Sequence, residues 1–430
     1  MMQSSFIGVG LASLLLVPLA IGQSTSPVTP TPPPSSTPAA TAPARVVAPA
    51  PSQEALAAAA DYSAERHGRA MLVMHDGKVI FERYDNGWAA DRPHPLASGT
   101  KSFVGVIAMF AVQDGLITID EMASDTITEW QSDPARSQIT LRHLLTLSSG
   151  LDPADATLGT RGGSRVLGPG RNTAADRERG SRAVNDRYEA ILETERSSKR
   201  GPGGKAATPG GQFEYGSSHF YAFCLVIDRK LKASDLEWKT TQDYFEGRVA
   251  KPIGMDVARL GVDRGGAPNF AGGAMLTARE WAKFGQFVLQ HGSWTNEKGE
   301  SVQLLKPELL QQCFVPSEAN PAYGLTWWLL DAARAAAAES SEVADGGGSI
   351  RERLRDRAFA REVGFAKDMV GPDGKPLKVL MAAGLGKQRL IVIAQHNLVI
   401  VRFAENAAPT PGVKDFSNAE FLGKALGTGH

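Results

Sequence analysis

A serine and a lysine three residues apart constrain this chain most, because an unbroken apolar run follows them. Ser98 and Lys101 stand just before residues 103–110, which carry no polar side chain, and Gly115 comes shortly after. Such a run ended by glycine predicts a buried helix that starts near Ser98 and puts the hydroxyl and the amine about one turn apart. A lysine at the edge of a buried helix loses solvent, which disfavours its charged form.

A neutral lysine amine can take the proton of a neighbouring serine and so make the serine a nucleophile. The spacing alone is weak evidence, because a chain of 430 residues is expected to contain about one Ser-x-x-Lys by chance. The plain alternative is a serine at a helix N-terminus with a solvated lysine in the first turn. Other segments of the chain have to decide between the two.

Charge and composition exclude several classes of function. The chain has 46 basic and 46 acidic residues, which argues against nucleic acid or an anionic membrane surface as a partner. No Gly-x-Ser-x-Gly elbow is present, so an α/β-hydrolase is disfavoured. The eight histidines are scattered, and neither His-Glu-x-x-His nor Cys-x-x-Cys occurs. We therefore predict neither a metal site nor a cofactor.

The N-terminal part reads as an export signal followed by a tether. Residues 1–22 contain an apolar stretch with small residues where a signal peptidase would cut, although no lysine or arginine precedes it. An uncleaved anchor remains the alternative. Residues 23–54 are rich in Pro, Ser, Thr and Ala, and such a segment cannot bury enough apolar surface to fold. The expected location is periplasmic or secreted, with membrane contact only through an uncleaved N-terminus.

Residues 55–430 predict one folded domain of the α/β (α+β) class. Asp76-Gly77 joins strands at 70–75 and 79–83, and two more strands, 389–393 and 398–403, lie near the other end. Strands at both ends predict an antiparallel sheet flanked by helices, with an inserted all-α part at about 98–260. Residues 153–211, with one short helix near 188–192, and residues 332–357 are predicted surface insertions. The only cysteines are Cys224 and Cys313; a buried free thiol is favoured at Cys224, and pairing is left open.

The order of several segments resembles the serine beta-lactamase and penicillin-binding-protein superfamily, in particular its class C beta-lactamase-like esterases and peptidases. After Ser98 and Lys101 the resembling segments follow in the family's order: residues 140–151, 209–217, 251–255, 272–274, 277–285, 323–328 and 383–388. The resemblance covers about residues 60–405. It makes a chance origin of the Ser-x-x-Lys spacing a poor explanation, and it implies the family's fold. His143 and Ser149, within the first of these segments, are expected to be structural.

The resemblance implies a role for each site residue. Ser98 would be acylated, Lys101 would accept its proton, and Tyr215 would act with Lys101 as general base and later serve the leaving group or water. Ser217, where asparagine is more frequent, would orient Lys101 or the substrate. The oxyanion would be held by the backbone N–H groups of Ser98 and Leu385.

The third motif departs from the family pattern. Where Lys-Thr-Gly or His-x-Gly is usual, this chain has Ala382, Ala383 and Gly384, so the glycine is kept and the cation is lost. Only Lys387 or Arg389 could replace the cation. Losing a charge-assisted bond of about 1.5–3 kcal/mol weakens carboxylate substrates tenfold or more. An ester or amide without that carboxylate is favoured.

Three functions follow, in order of preference. The first is an exported serine hydrolase with esterase or amidase activity on a small-molecule or peptide-like substrate. The second is a cell-wall D,D-peptidase or class C-type beta-lactamase, which the lost cation disfavours. The third is a non-catalytic binding or scaffolding relative, which the intact Ser98, Lys101 and Tyr215 disfavour. The oligomeric state and the natural substrate stay open.

Overall fold

The computed structural model describes residues 48–153, 186–197, 207–295, 298–331, 370–405 and 415–428. The predicted export signal at 1–22, most of the predicted tether and the predicted insertion at 332–357 lie outside these ranges. The first predicted insertion is described only in part. Within it, the short helix expected near residues 188–192 is present at Arg187–Leu192.

The described residues form eleven strands and nine α-helices. In chain order the strands are β1 Gly68–His75, β2 Lys78–Tyr84, β3 His94–Pro95, β4 Arg259–Leu260, β5 Ala274–Leu276, β6 Ser293–Thr295, β7 Ser301–Gln303, β8 Trp328–Leu329, β9 Leu380–Gly384, β10 Gln388–Ile393 and β11 Leu398–Ala404. The helices are α1 Gln53–Ala64, α2 Ser102–Gln113, α3 Leu141–Leu145, α4 Arg187–Leu192, α5 Ser218–Ala233, α6 Thr241–Phe245, α7 Ala278–Leu289, α8 Pro307–Gln312 and α9 Asn418–Leu426.

The main sheet joins the two ends of the domain. Its six strands are antiparallel to their neighbours in the order β2-β1-β11-β10-β9-β8. The β1–β2 hairpin turns at Asp76 and Gly77, whose φ angles of 50° and 75° suit the tight turn predicted from Asp-Gly. Between β3 and β4 the described residues form helices, turns and isolated bridges. The predicted antiparallel sheet with a helical insertion is therefore present.

Helices cover both faces of the main sheet. On one face the Arg402 Nε donates to Ser63 Oγ of α1 at 2.8 Å, and the Arg389 Nε donates to Asn418 Oδ1 of α9 at 2.9 Å. On the other face α7 packs so closely that a Cβ at Gly285 would lie 2.6 Å from Val399 Cγ1. The apolar stripe of α7 is buried there. Its members are Trp281, Phe284, Phe287 and Val288.

The predicted apolar helix is α2, and it lies in the core. It is buried from Ser102 to Ala111 and ends at Gln113, after which Gly115 adopts a φ of 72°. Both cysteines are buried and unpaired. In the described part of the chain, no helix has the length and apolarity needed to span a bilayer.

Candidate active site

The turn that carries Ser98 is held rigidly from several sides. It is the 3₁₀ turn Ala97–Lys101, which leads into α2. Ala97 has a φ of 48°, a left-handed conformation that is costly for a residue with a Cβ and persists only where its surroundings fix it. Thr100 supplies that support, since its Oγ1 donates to Ala97 O at 2.7 Å and accepts from Ala274 N at 3.2 Å. The nucleophile position is thus anchored to β5.

Gly384 packs against the same turn. A Cβ on Gly384 would lie 2.0 Å from the carbonyl oxygen of Leu96 and 3.1 Å from Gly99 N. No side chain fits that gap, because real Cβ atoms do not approach a carbonyl oxygen so closely. The end of β9 can therefore reach the Ser98 turn only with glycine at this position.

Lys101 is a buried amine beside Ser98. Its Nζ lies 3.1 Å from Ser98 Oγ and also donates to the carbonyl oxygen of Ala271. The residue is 3% exposed. Burial lowers the pKa of Lys101 from 10.5 to about 7, because the charged ammonium is poorly solvated there. Near neutral pH a large fraction of the amine is uncharged and able to take the Ser98 proton.

Tyr215 faces the same amine. Its half-buried side chain has its ring centroid 5.1 Å from Lys101 Nζ, and the Phe220 ring centroid lies 5.3 Å from the same atom. The Tyr215 ring stacks on Trp328 of β8, with centroids 6.0 Å apart and planes 25° apart. Tyr215 is distant in sequence from Ser98 and Lys101, and the fold brings all three residues to one site.

Ser217 and Leu385 lie at the ends of the elements that border this site. Ser217 precedes α5, its backbone N–H donates to Pro153 O at 3.1 Å, and its hydroxyl makes no capping bond. Leu385 is the first residue after β9 and is 48% exposed, an unusual exposure for a large apolar side chain. Its carbonyl accepts from Gln388 Nε2 at 3.2 Å. The orienting and oxyanion roles of these two residues stay predictions.

In the third motif, no cationic side chain of β9 stands at the position where the family pattern has one. Ala382 is buried and Ala383 half-buried on β9. Arg389, one of two possible replacements, is 1% exposed and is bound to Asn418, Gly384 O and Gln388 O on the α9 side of the sheet. Its guanidinium therefore lies on the face of the sheet opposite the Ser98 turn. Lys387 lies in the β9–β10 turn with a φ of 63°, and its backbone carbonyl accepts from Arg402 at 2.9 Å.

Sequence reasoning missed three neighbours of the catalytic candidates. These are the Ala271 carbonyl at Lys101, the Trp328 ring on Tyr215, and His219, which is fully buried on α5. Ala271 borders the Gly272-Gly273 segment of the resemblance, which was the available signal. His143 proves structural, as expected: it caps α3 by exchanging hydrogen bonds with Thr140.

Comparison with known proteins agrees with this architecture. The fold is that of beta-lactamases and transpeptidases. A sequence model described as Beta-lactamase matches residues 53–420. The chain belongs to the beta-lactamase family, and beta-lactamase-fold members of this family are serine hydrolases.

Solved structures of low sequence identity share the fold. A putative beta-lactamase from Bacteroides dorei superposes with a TM-score of 0.56 at 16% identity over 85% of this chain and 94% of that one. A putative 6-aminohexanoate-dimer hydrolase from Bacillus anthracis gives 0.53 at 18% identity over 81% and 76%. EstCE1, a hydrolase with promiscuous acyltransferase activity, gives 0.52 at 15% identity over 87% and 98%.

One curated relative matches a shorter stretch. An uncharacterized protein from Alkalihalophilus pseudofirmus is 31% identical in an alignment of 102 residues that covers 21% of this chain. The match spans 29% of that relative's length, less than a third. It therefore adds nothing on activity or substrate.

Proposed function

We propose that this protein is an exported serine hydrolase that forms an acyl-enzyme at Ser98 and hydrolyses an ester or an amide. The carrying observation is the buried Lys101 amine, 3.1 Å from Ser98 Oγ, whose pKa of about 7 leaves it able to accept a proton near neutrality. A solvated lysine in a helix's first turn would keep its ordinary pKa and would not serve as a base. The intact pair also disfavours a purely scaffolding role.

In the proposed reaction Ser98 Oγ attacks the substrate carbonyl carbon and its proton passes to Lys101. The oxyanion is held by the backbone N–H groups of Ser98 and Leu385. As the carbon–oxygen or carbon–nitrogen bond breaks, Tyr215 delivers a proton to the leaving alcohol or amine and is reprotonated by Lys101. A water molecule then attacks the acyl carbon, and its proton passes to Tyr215 and Lys101. When the bond between the acyl carbon and Ser98 Oγ breaks, that proton returns to Ser98 Oγ.

The proposed substrate lacks a carboxylate beside the scissile bond. Ala382 and Ala383 provide neither the cation nor the hydroxyl that holds such a group, and Arg389 is bound on the opposite face of the sheet. The structural neighbours carry names as different as a 6-aminohexanoate-dimer hydrolase and a beta-lactamase/D-alanine carboxypeptidase, so this fold serves several substrate classes. The missing cation is what favours the ester or amide.

Two covalent probes test the proposal. The protein and its Ser98→Ala variant are incubated separately with a fluorophosphonate and with a labelled penicillin. Fluorophosphonate labelling that is lost in Ser98→Ala, without penicillin labelling, supports the proposal. Labelling by both would favour the beta-lactamase or D,D-peptidase alternative, and labelling of the folded protein by neither would favour a non-catalytic relative.

A matched substrate pair tests the carboxylate claim. One activated ester carries a free carboxylate next to the scissile carbonyl, and its partner carries the methyl ester of that group. We expect kcat/KM to be at least about tenfold higher for the neutral partner. Lys387→Ala is the control: if this variant raises KM for the carboxylate substrate, Lys387 supplies the cation and the claim is wrong.

The export part of the proposal rests on residues 1–22 and 23–54. Fractionation of cells that express the full chain, followed by N-terminal sequencing, tests it. A mature start near residue 23 in the exported fraction is expected. Retention in the cytoplasm would contradict export, and an intact N-terminus in the membrane fraction would show the uncleaved anchor.

A further inference from the structure

A buried histidine lies directly behind the turn that carries Tyr215. His219 is the second residue of α5 and is 0% exposed. Both ring nitrogens are bonded: Nδ1 is 2.9 Å from Ser149 Oγ, and Nε2 is 2.9 Å from the carbonyl oxygen of Glu214. The ring therefore links the loop after α3 to the residue immediately before Tyr215.

These partners define the protonation state of the ring. A carbonyl oxygen only accepts, so Nε2 must carry a hydrogen and donate it to Glu214 O. Nδ1 of the neutral ring is then an acceptor for the Ser149 hydroxyl hydrogen. The same Ser149 oxygen accepts from Leu151 N at 3.2 Å. The neutral ring satisfies all of these groups, whereas a proton on Nδ1 would turn the Ser149 hydrogen away.

The bond to Glu214 O is one of three anchors around Tyr215. The N–H of Glu214 donates to Leu147 O at 2.8 Å, and the N–H of Ser217 donates to Pro153 O at 3.1 Å. The first two anchors hold both backbone groups of Glu214, its N–H through Leu147 and its carbonyl oxygen through His219. Without His219, the peptide group that joins Glu214 to Tyr215 loses the hydrogen bond at its carbonyl oxygen, and the Tyr215 ring can shift relative to Lys101.

The electrostatic surroundings of His219 also favour its neutral form. Burial, together with the neighbouring positive charge of Lys101, lowers the pKa of His219 to about 4. The ring thus stays neutral while Lys101 gains and loses its proton. A second cation this close would oppose proton uptake by Lys101.

We propose that His219 is a positioning residue for Tyr215, a neutral Nε2–H ring clamped between Ser149 and the Glu214 carbonyl. This inference rests on the proposed function, because Tyr215 matters only where it serves Ser98 chemistry. It assigns Ser149 a part in the same clamp. It also accounts for a buried, fully bonded histidine next to the catalytic candidates.

Three variants separate positioning from stability. His219→Phe keeps a ring and removes both hydrogen bonds, whereas His219→Gln restores a donor for Glu214 O and an acceptor for Ser149. Thr241→Val is the matched control, since Thr241 is also fully buried and its hydroxyl bonds Asp228 and Cys224 O elsewhere along α5. For each variant the rate of fluorophosphonate labelling at Ser98 is measured from pH 5 to 9, with Tm measured alongside.

We expect His219→Phe to label at least about tenfold more slowly over the whole range, and His219→Gln to come within about threefold of the wild-type rate. Thr241→Val should lose Tm but keep the rate. The inference is overturned if the rate of His219→Phe is unchanged, if Gln fails to restore it, or if Thr241→Val slows labelling equally. Ser149→Ala keeps the His219 ring and should also label more slowly than wild type. It therefore replaces His219→Phe if that variant fails to fold.

A second readout is independent of activity. The ring signals of ¹³C-labelled tyrosines, assigned with Tyr215→Phe, report whether the Tyr215 ring is held. A Tyr215 signal that moves toward that of free tyrosine in His219→Phe or Ser149→Ala, and not in His219→Gln, supports positioning; an unmoved signal overturns it. Absent labelling of the wild type would overturn the proposed function alone, and this readout would still decide the role of His219.

Discussion

Lys101 is the residue on which the chemistry depends, because only its neutral form can take the Ser98 proton. Its pKa of about 7 follows from burial among apolar side chains and carbonyl groups. The neutral fraction therefore rises with pH through neutrality. We expect the rate of Ser98 labelling to increase about tenfold from pH 6 to pH 8 and then level off. A flat profile, or one that rises only near pH 10, would remove Lys101 from the proposed role.

The same burial predicts how stability depends on pH. In the unfolded chain a lysine has a pKa of about 10.4, so between about pH 7 and that value the unfolded state binds more protons than the folded state. The buried Lys101 therefore lowers the free energy of unfolding most at and below pH 7, and this destabilisation decreases as pH rises.

Lys101→Met removes this cost. We expect the variant to gain in free energy of unfolding relative to wild type at pH 7, and the gain to fall by up to about 1.4 kcal/mol per pH unit as pH is raised toward 10. Urea unfolding at several pH values measures it. A gain independent of pH would mean that Lys101 is not desolvated as described.

At the scale of elements, the contact between β9 and the Ser98 turn tightly constrains the site. Gly384→Ala would put a Cβ 2.0 Å from Leu96 O, so the strand or the turn must move. We expect Ser98 labelling to fall at least about a hundredfold, with about 1–3 kcal/mol lost in stability. Gly261→Ala is the control, because its new Cβ would meet nothing closer than 3.9 Å. Normal labelling in Gly384→Ala would contradict this packing.

Elements with local signals could be predicted from the sequence, and contacts between distant segments could not. The β1–β2 hairpin followed from Asp76-Gly77, and α2 followed from the apolar run. The meeting of Ser98 with Lys101 is local as well. Ala271 is 170 residues from Lys101, whose amine it accepts a hydrogen bond from, and no hydrophobic periodicity in the sequence predicts such a contact. The role of His219 could not be predicted for a similar reason: in sequence it is a single histidine just before an apolar run, and its partner Ser149 lies 70 residues away.

At the scale of the whole molecule, the sheet depends on both ends of the domain. The α9 segment covers buried arginines on β10 and β11: Asn418 accepts from Arg389, and the guanidinium of Arg402 lies 3.8 Å from the centroid of the Phe416 ring. Buried cations left without such partners cost several kcal/mol. We expect deletion of residues 415–430 to abolish cooperative unfolding, measured by near-ultraviolet circular dichroism. A cooperative transition in this variant would contradict this account.

The central claim, an acyl-enzyme at Ser98 generated with Lys101, is tested most directly by mass spectrometry. The protein is mixed with an activated ester that carries no carboxylate and is quenched in acid within its first turnovers. The account predicts a mass increase equal to one acyl group, located on the peptide that contains Ser98. It predicts no adduct with Ser98→Ala and strongly delayed formation with Lys101→Met. Ester turnover that persists in Ser98→Ala, or an adduct on another residue, would contradict it.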